Sequence, residues 1–274
     1  MSHQEPIGER AVRLGLASKD AVASALREQH ARAGAGKGPM LGALLVEMGL
    51  LSPTQLVRVL DDSPLSGFHL GEDAVRLAAQ LPRMVDKPQR TILFTSARRS
   101  QGVSTVASQV ALALALMGED RVVVVDANLR APEMHEKFRV RRAPGLAEAV
   151  SGKTPVESCI APTGVPGLSV MPAGAEAGDA LALLISEPCE RVFQGLRDRY
   201  SFVIVDVPPM LEHPEAAVVA ARTDGVVVVA RAGRSTRTDH QEVGRALSGL
   251  GVAHLGVVLS RVPRSLSAAL ERAV

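Results

Sequence analysis

The stretch Thr95-Ser96-Ala97-Arg98-Arg99-Ser100-Gln101-Gly102-Val103-Ser104-Thr105 joins the apolar run Thr91-Ile92-Leu93-Phe94 to a mostly apolar segment that ends at Met117. A buried strand, a glycine-containing turn and a helix in that order put the orphan N–H groups of the helix start at the end of the strand. Those donors and the helix dipole attract an anion there. Gly102 allows a tight backbone approach, and Ser104 and Thr105 open the helix. Val103 stands where such a loop needs a lysine, and an aliphatic side chain cannot place positive charge against a transferring phosphoryl group. The shape of an anion site is therefore written here without its cation.

Working outward, Arg121-Val122-Val123-Val124-Val125-Asp126 reads as a second strand ending on a carboxylate, which makes the first three elements a βαβ unit. Leu168 to Pro172 supplies a further short strand and Pro188 to Arg199 a helix. Phe202-Val203-Ile204-Val205-Asp206 is a strand that again ends on an acid, and Gly225 to Ala230 and Val252 to Leu259 complete the expected central strands. Near-continuous β-branched runs need helices on both faces, so the expected class is α/β with a mostly parallel sheet.

Upstream, Gly15-Leu16-Ala17-Ser18 with Val22 and Leu26 recurs as Gly49-Leu50-Leu51-Ser52 with Leu56 and Leu60, an offset of 34 residues. Each serine can cap a helix, Pro53 suits a first helical position, and apolar residues four apart mark a buried face. The segment Ala33 to Pro39 between the copies reads as a turn. The expected organisation is a small all-helical interaction module over 1–62, a linker and helix over 63–89, the α/β domain over 90–264 and a short tail over 265–274. Within the linker, a helix is expected over 71–81 and a turn from Pro82 to Pro88.

The 274 residues, 46% of them hydrophobic, suffice for a large core. A formal charge of +2 gives no argument for nucleic acid, and the basic run Arg231 to Arg237 lacks aromatic platforms; it reads as a support for nucleotide or protein binding. Lysine occurs only at 19, 37, 87, 137 and 153. Cys159 and Cys189 form no CxxC pair and read as packed apolar residues in a reducing compartment. His135, His213 and His254 lack metal-ligand spacing, and no GxSxG elbow is present. With no apolar signal core at the amino terminus, the expected location is the cytoplasm, with recruitment to the inner face of the membrane through a partner.

The segment from 90 to about 262 resembles the bacterial tyrosine kinase domain of capsule and exopolysaccharide synthesis, a relative of MinD/ParA-type P-loop ATPases. The resemblance is carried by TSARRSQGVSTVASQVALALALMG, VVVVDANLRAPEMHEKF, GLAEAVSG, GLSVMPAG and FVIVDVPPML. It implies a P-loop NTPase-like sheet, and ATP or ADP with Mg²⁺ as cofactor, held weakly if at all. The related loop reads close to TSxxPGEGKST, so Arg99, Ser100, Gln101 and Val103 replace proline, glycine, glutamate and lysine. By the same resemblance Gly102, Ser104 and Thr105 surround phosphate, while Ser104, Asp126 and Asp206 hold the metal. Asp126 and Asp206 are the implied catalytic acids, vestigial if the site is inactive. Asn128 stands at a second acid position, Arg130 matches the arginine of a DLRxP string, and Ser260 replaces an asparagine that reads the adenine edge. Arg98 and Arg99 are the local substitutes for the missing cation, although a guanidinium does not reproduce the reach of a loop lysine.

One further departure concerns the tyrosine-rich tail that the active family carries. The tail from Ser265 carries no tyrosine, and the sole tyrosine, Tyr200, precedes a core strand. Separately, Leu41 to Leu60 resembles the small amino-terminal domain of type II secretion and type IV pilus ATPases through LGxLLxExGLLxxxQLxxxL, which implies protein docking. The expectation is a catalytically impaired kinase-like regulator or scaffold in polysaccharide synthesis or export. An active ATP-dependent tyrosine kinase using Arg98 or Arg99, and a secretion or motility regulator, stand as alternatives. The expected partners are a polysaccharide copolymerase or export protein of the membrane, a kinase paralogue, or a second copy of the chain; no nucleic acid is expected.

Overall fold

Along each central strand the side chains alternate between two buried faces. Ile92, Phe94, Val122, Val124, Phe202, Ile204, Val227 and Val229 enter one apolar cluster, and Leu93, Val123, Val125, Val203, Val205, Val226 and Val228 the other. Period-two alternation with both faces apolar produces the unbroken β-branched runs of the sequence, and requires helices above and below. The structure, a computed structural model, describes residues 6–33, 41–52, 55, 56, 58, 59, 71–118, 121–175 and 178–262.

The first elements are α1 (Ile7–Arg13), α2 (Lys19–Ala33), α3 (Leu41–Glu47), α4 (Glu72–Met84), β1 (Arg90–Ser96), α5 (Val103–Met117) and β2 (Val122–Asp126). There follow α6 (Met134–Lys137), α7 (Leu146–Val150), a 3-10 turn (Val156–Cys159), β3 (Ala161–Pro162), β4 (Leu168–Met171), α8 (Ala180–Ile185) and α9 (Glu187–Arg197). The chain continues with β5 (Phe202–Asp206), α10 (Pro214–Ala220), β6 (Gly225–Arg231), α11 (Arg237–Gly249) and β7 (His254–Ser260). The described strands form one sheet in the order β3-β4-β2-β5-β1-β6-β7, parallel except for β3. The expected mostly parallel α/β class, preceded by helices, is thus what the chain adopts.

That order decides the position of the site. β5 lies between β1 and β2, so the connection through α5 steps over it in one direction and the connection to β6 steps over β1 in the other. Open α/β sheets bind ligands outside the carboxyl ends of strands at such a reversal. Here those ends carry the Thr95–Thr105 loop and Asp206.

The repeated amino-terminal motif has a repeated geometry. Gly15 and Gly49 both adopt a positive φ, 66° and 67°, just after α1 and α3, where only glycine turns a helix end without strain. Ser18 Oγ accepts from Ala21 N–H and Ser52 Oγ from Gln55 N–H, each at 3.1 Å, which are the predicted caps. Pro53, Leu60, the 34–39 turn, the Asp61–Gly67 break and the tail from Ser265 lie outside the described residues.

Several expectations are corrected. Leu26 is exposed, because Ala25 takes the buried position on α2. Helix α4 runs on to Met84 with Pro82 inside its last turn; burial of Leu81 and Val85 and a hydrogen bond from Val85 N–H to the Leu81 carbonyl hold that turn. The last strand, expected to be central, is the edge strand β7, and Val257 and Leu259 there are 50% and 40% exposed. Its β-branched run reads like a central strand because one face is still packed, with Leu255 and Val258 against the core. Tyr200, with Arg121 and Arg199, lines an open cleft of about 490 Å³ at the opposite, amino end of the sheet. Among the described residues no helix is long and apolar enough to cross a membrane.

One apolar cluster runs from Ile7, Ala11, Leu45 and Leu56 through α4 into Val110, Leu114 and Met117 of α5. The contact is close at Gly42, where an added Cβ would stand 2.9 Å from Met117 Cγ and 3.0 Å from Ile7 Cδ1. Gly42→Val is expected to destabilise the protein by about 1–3 kcal/mol through overpacking. The measurement is the urea unfolding midpoint, with Gly244→Val, whose Cβ meets open space, as a control for propensity.

Candidate functional site

The Arg98–Gly102 turn contains the kind of left-handed residues from which backbone anion cradles are built. Gly102 has φ 89° and Ser100 φ 62°, so both sit in the left-handed region. Ser100 adopts this conformation although it carries a Cβ, at a cost of about 1 kcal/mol. Neighbouring elements hold the loop there: Ser260 Oγ donates to the Gln101 carbonyl at 2.6 Å and Arg231 Nη1 to the Ser100 carbonyl at 3.3 Å. Helix α5 then begins without a side-chain cap, leaving its first donors for another acceptor.

Beneath the loop, Asp126 and Asp206 are register partners at the ends of adjacent strands, and both side chains are fully buried. Asp126 is hydrogen-bonded: Oδ1 accepts from Asn128 N–H at 3.3 Å, and Oδ2 from Glu133 and Met134 N–H at 3.1 and 3.0 Å. Asp206 is different. Neither of its oxygens has a partner with hydrogen-bond geometry, although the Ser104 hydroxyl stands beside it and favours its charged form. Burial pushes Asp126 up to about 7 against the pull of its backbone donors. Burial, and then the neighbouring Asp126, hold Asp206 well above the ordinary carboxylate range.

Once ionised, the Asp206 oxygens are acceptors buried without donors; they fit a cation, and an oxygen-ligand set with Ser104 fits a hard divalent ion. Among the described residues no cluster of three or more His, Cys, Asp or Glu side chains could hold a metal alone. Any such ion must therefore complete its shell with water or ligand oxygens, as Mg²⁺ does in phosphate sites.

Other sequence-derived candidates are engaged elsewhere. Arg98 pairs with Asp239 at 3.0 Å; Arg99 pairs with Glu212 at 3.0 Å and meets His213 Nε2 at 3.0 Å. Both guanidiniums are exposed, so these pairs are weak, but they draw both side chains toward carboxylates on neighbouring elements. Arg130 directs Nε and Nη2 to one oxygen of the buried Glu215, at 2.8 and 2.5 Å, so its guanidinium is taken up by an ion pair. The Asn128 amide oxygen accepts from Ala131 N–H at 3.3 Å and closes a local turn. Ser260, expected at a base edge, donates its only hydroxyl proton to the loop. The Val103 side chain packs against the apolar core.

Sequence reasoning missed Lys137, whose Nζ donates to Thr105 Oγ1 at 3.2 Å. No local signal marks it, because α6 and α5 meet only through the fold.

No protein-family model matches the chain. It is 29% identical over 182 residues to the tyrosine-protein kinase CpsD of Streptococcus agalactiae, covering 66% of this chain and 79% of that protein. It is 30% identical over 186 residues to the tyrosine-protein kinase Etk of Escherichia coli, covering 68% of this chain and 26% of that one. The solved kinase domain of E. coli ETK superposes with a TM-score of 0.65 at 28% identity, over 70% of this chain and 76% of the other. This chain carries a P-loop, BY-kinase-like domain. The septum site-determining protein MinD of Pyrococcus horikoshii, solved with Mg-ADP, shares the fold at a TM-score of 0.56 and 23% identity, over 66% and 77% of the two chains.

Two predictions follow from the BY-kinase-like domain's loop and acids. Ser100→Gly removes the left-handed strain and is expected to raise stability by up to about 1 kcal/mol, read as a higher thermal midpoint. A carboxyl whose pKa is raised by folding stabilises the fold in its protonated form. That contribution is complete below about pH 4 and declines as pH rises through about 7 for Asp126. Asp206→Asn removes the like charge, and is expected to raise Tm by about 2–4 °C at pH 8 and by much less at pH 5, in scans without metal or nucleotide.

Proposed function

We propose that this chain is a catalytically impaired, BY-kinase-like nucleotide-binding protein that regulates or scaffolds polysaccharide synthesis or export. The relation to the CpsD and Etk kinases supports a regulatory or kinase-like role of that kind. One observation carries the finer reading: the loop has left-handed residues at Ser100 and Gly102, as a backbone anion cradle needs, while the half-buried Val103 packs against the apolar core.

The residues divide by task. The α5 amides and Thr105 would bind phosphate; Asp206, Ser104 and Asp126 would hold Mg²⁺, which supplies charge neutralisation when bound. The basic strand end at Arg231, Arg234 and Arg261 adds positive potential beside the loop. Burial, and then the like charges of Arg261 and Arg234, hold the Arg231 guanidinium below its ordinary value. Such a site can bind and position a polyphosphate. What it lacks is the compact cation that meets charge developing during transfer.

The helices of 1–62 form the docking module in this reading, and their contact with the end of α5 at Met117 joins them to the helix that opens the cradle. A membrane copolymerase or export protein, a paralogous kinase or a second copy of the chain is the partner.

Calorimetric titration of the full chain with Mg-ATP and Mg-ADP is expected to show weak binding, and an assay with an exogenous tyrosine substrate no phosphoryl transfer. Val103→Lys should tighten nucleotide binding about tenfold, the worth of one charge-assisted hydrogen bond. Wild-type turnover that disappears in Asp206→Asn would falsify the impaired reading and favour an active kinase.

A further inference from the structure

The loss of the loop cation has a structural counterpart on another element. Lys137 closes the short helix α6, eleven residues after Asp126 in the sequence. Its Nζ donates to Thr105 Oγ1 at 3.2 Å and lies 3.5 Å from Glu133 Oε2, with the side chain 24% exposed. Of the lysines in the described residues, it is the one that reaches the first turn of α5. Lys87, by contrast, pairs with Asp224 at 2.6 Å.

The surroundings explain why a cation belongs there. Asp126 and Asp206 are buried register partners, Glu133 Oε2 lies 3.5 Å from Lys137 Nζ, and Asp206 feels the negative charges of Asp126 and Glu133 and the positive charge of Lys137, which favours its ionised form. The backbone holds the lysine in place from the acid side: Glu133 and Met134 N–H groups both donate to Asp126 Oδ2, so the carboxylate that ends β2 anchors the turn on which Lys137 stands. A long flexible stem, partly open to solvent, lets the ammonium move from Thr105 Oγ1 to an anion seated over the same turn.

The geometry points to Lys137 as the phosphate-binding cation of this site, supplied from α6 in place of the lysine absent at position 103. The ligand class is a nucleoside di- or triphosphate, and the inference rests on the nucleotide-binding reading above. The charge arrives beside Thr105 rather than from the loop itself, so it serves binding without restoring the loop lysine's position against the transferring group. Retained affinity without transfer is the consequence.

The test is calorimetry of the full chain with Mg-ADP, a probe whose binding does not depend on turnover, together with thermal melts of each variant. Lys137→Met is expected to weaken Mg-ADP about tenfold, and Lys137→Arg to stay within about threefold of wild type. Adding Val103→Lys to Lys137→Met should recover most of the loss. A Lys137→Met protein that binds Mg-ADP like wild type but melts lower would overturn the inference, since Lys137 would then be only a strut between α6 and α5. If wild type fails to bind while Val103→Lys binds, the cradle stands and Lys137 is no substitute. If neither binds at millimolar nucleotide, the nucleotide reading itself falls, and this assignment with it.

Discussion

Two carboxylates buried side by side at the ends of β2 and β5 set the electrostatic condition of the whole region. Desolvation and mutual repulsion favour their neutral forms, and only Asp126 receives backbone donors; Asp206 has neither donor nor cation in hydrogen-bond geometry. A protein keeps such a pair when positive charge can arrive from outside the chain, because an unpaired buried charge is otherwise strongly unfavourable. The uncapped helix start above the pair is the complementary half, a set of donors without an acceptor. In the proposed reading the two halves would take a polyanion and its metal together.

The loop's departures from the kinase pattern act unevenly. Replacing a glycine by Ser100 strains the backbone but leaves its course intact, since Ser260 and Arg231 brace the loop carbonyls from β7 and β6. Replacing a lysine by Val103 removes charge altogether and adds an apolar contact. Shape and charge are therefore separable in this loop. A binding site tolerates the loss of one cation if others stand near; transfer of a phosphoryl group depends on where the charge stands.

Much of the fold was legible from particular residues. The valines at 122–125, the acids at 126 and 206 and the paired Gly15 and Gly49 turns follow from side-chain period, strand-end chemistry and the demand for a positive φ. The misread elements have equally specific causes. Pro82 suggested a helix end, but burial of Leu81 and Val85 outweighed its missing donor. The 252–259 run suggested a central strand, because half-packed and fully packed β-branched segments look alike in sequence. For the site, Val103 marked a loop without a lysine, while nothing near it pointed to Lys137.

Taken alone, the amino-acid sequence determined the strand–loop–helix order, the acids at two strand ends and the absence of a lysine from the loop, because these depend on local spacing. Tertiary structure alone decided that β5 lies between β1 and β2, that Arg98, Arg99 and Arg130 turn to carboxylates, and that Lys137 meets Thr105 across 32 residues of chain. Strand order and helix packing are settled by burying two apolar faces at once, and no local pattern encodes which distant side chains that burial brings together.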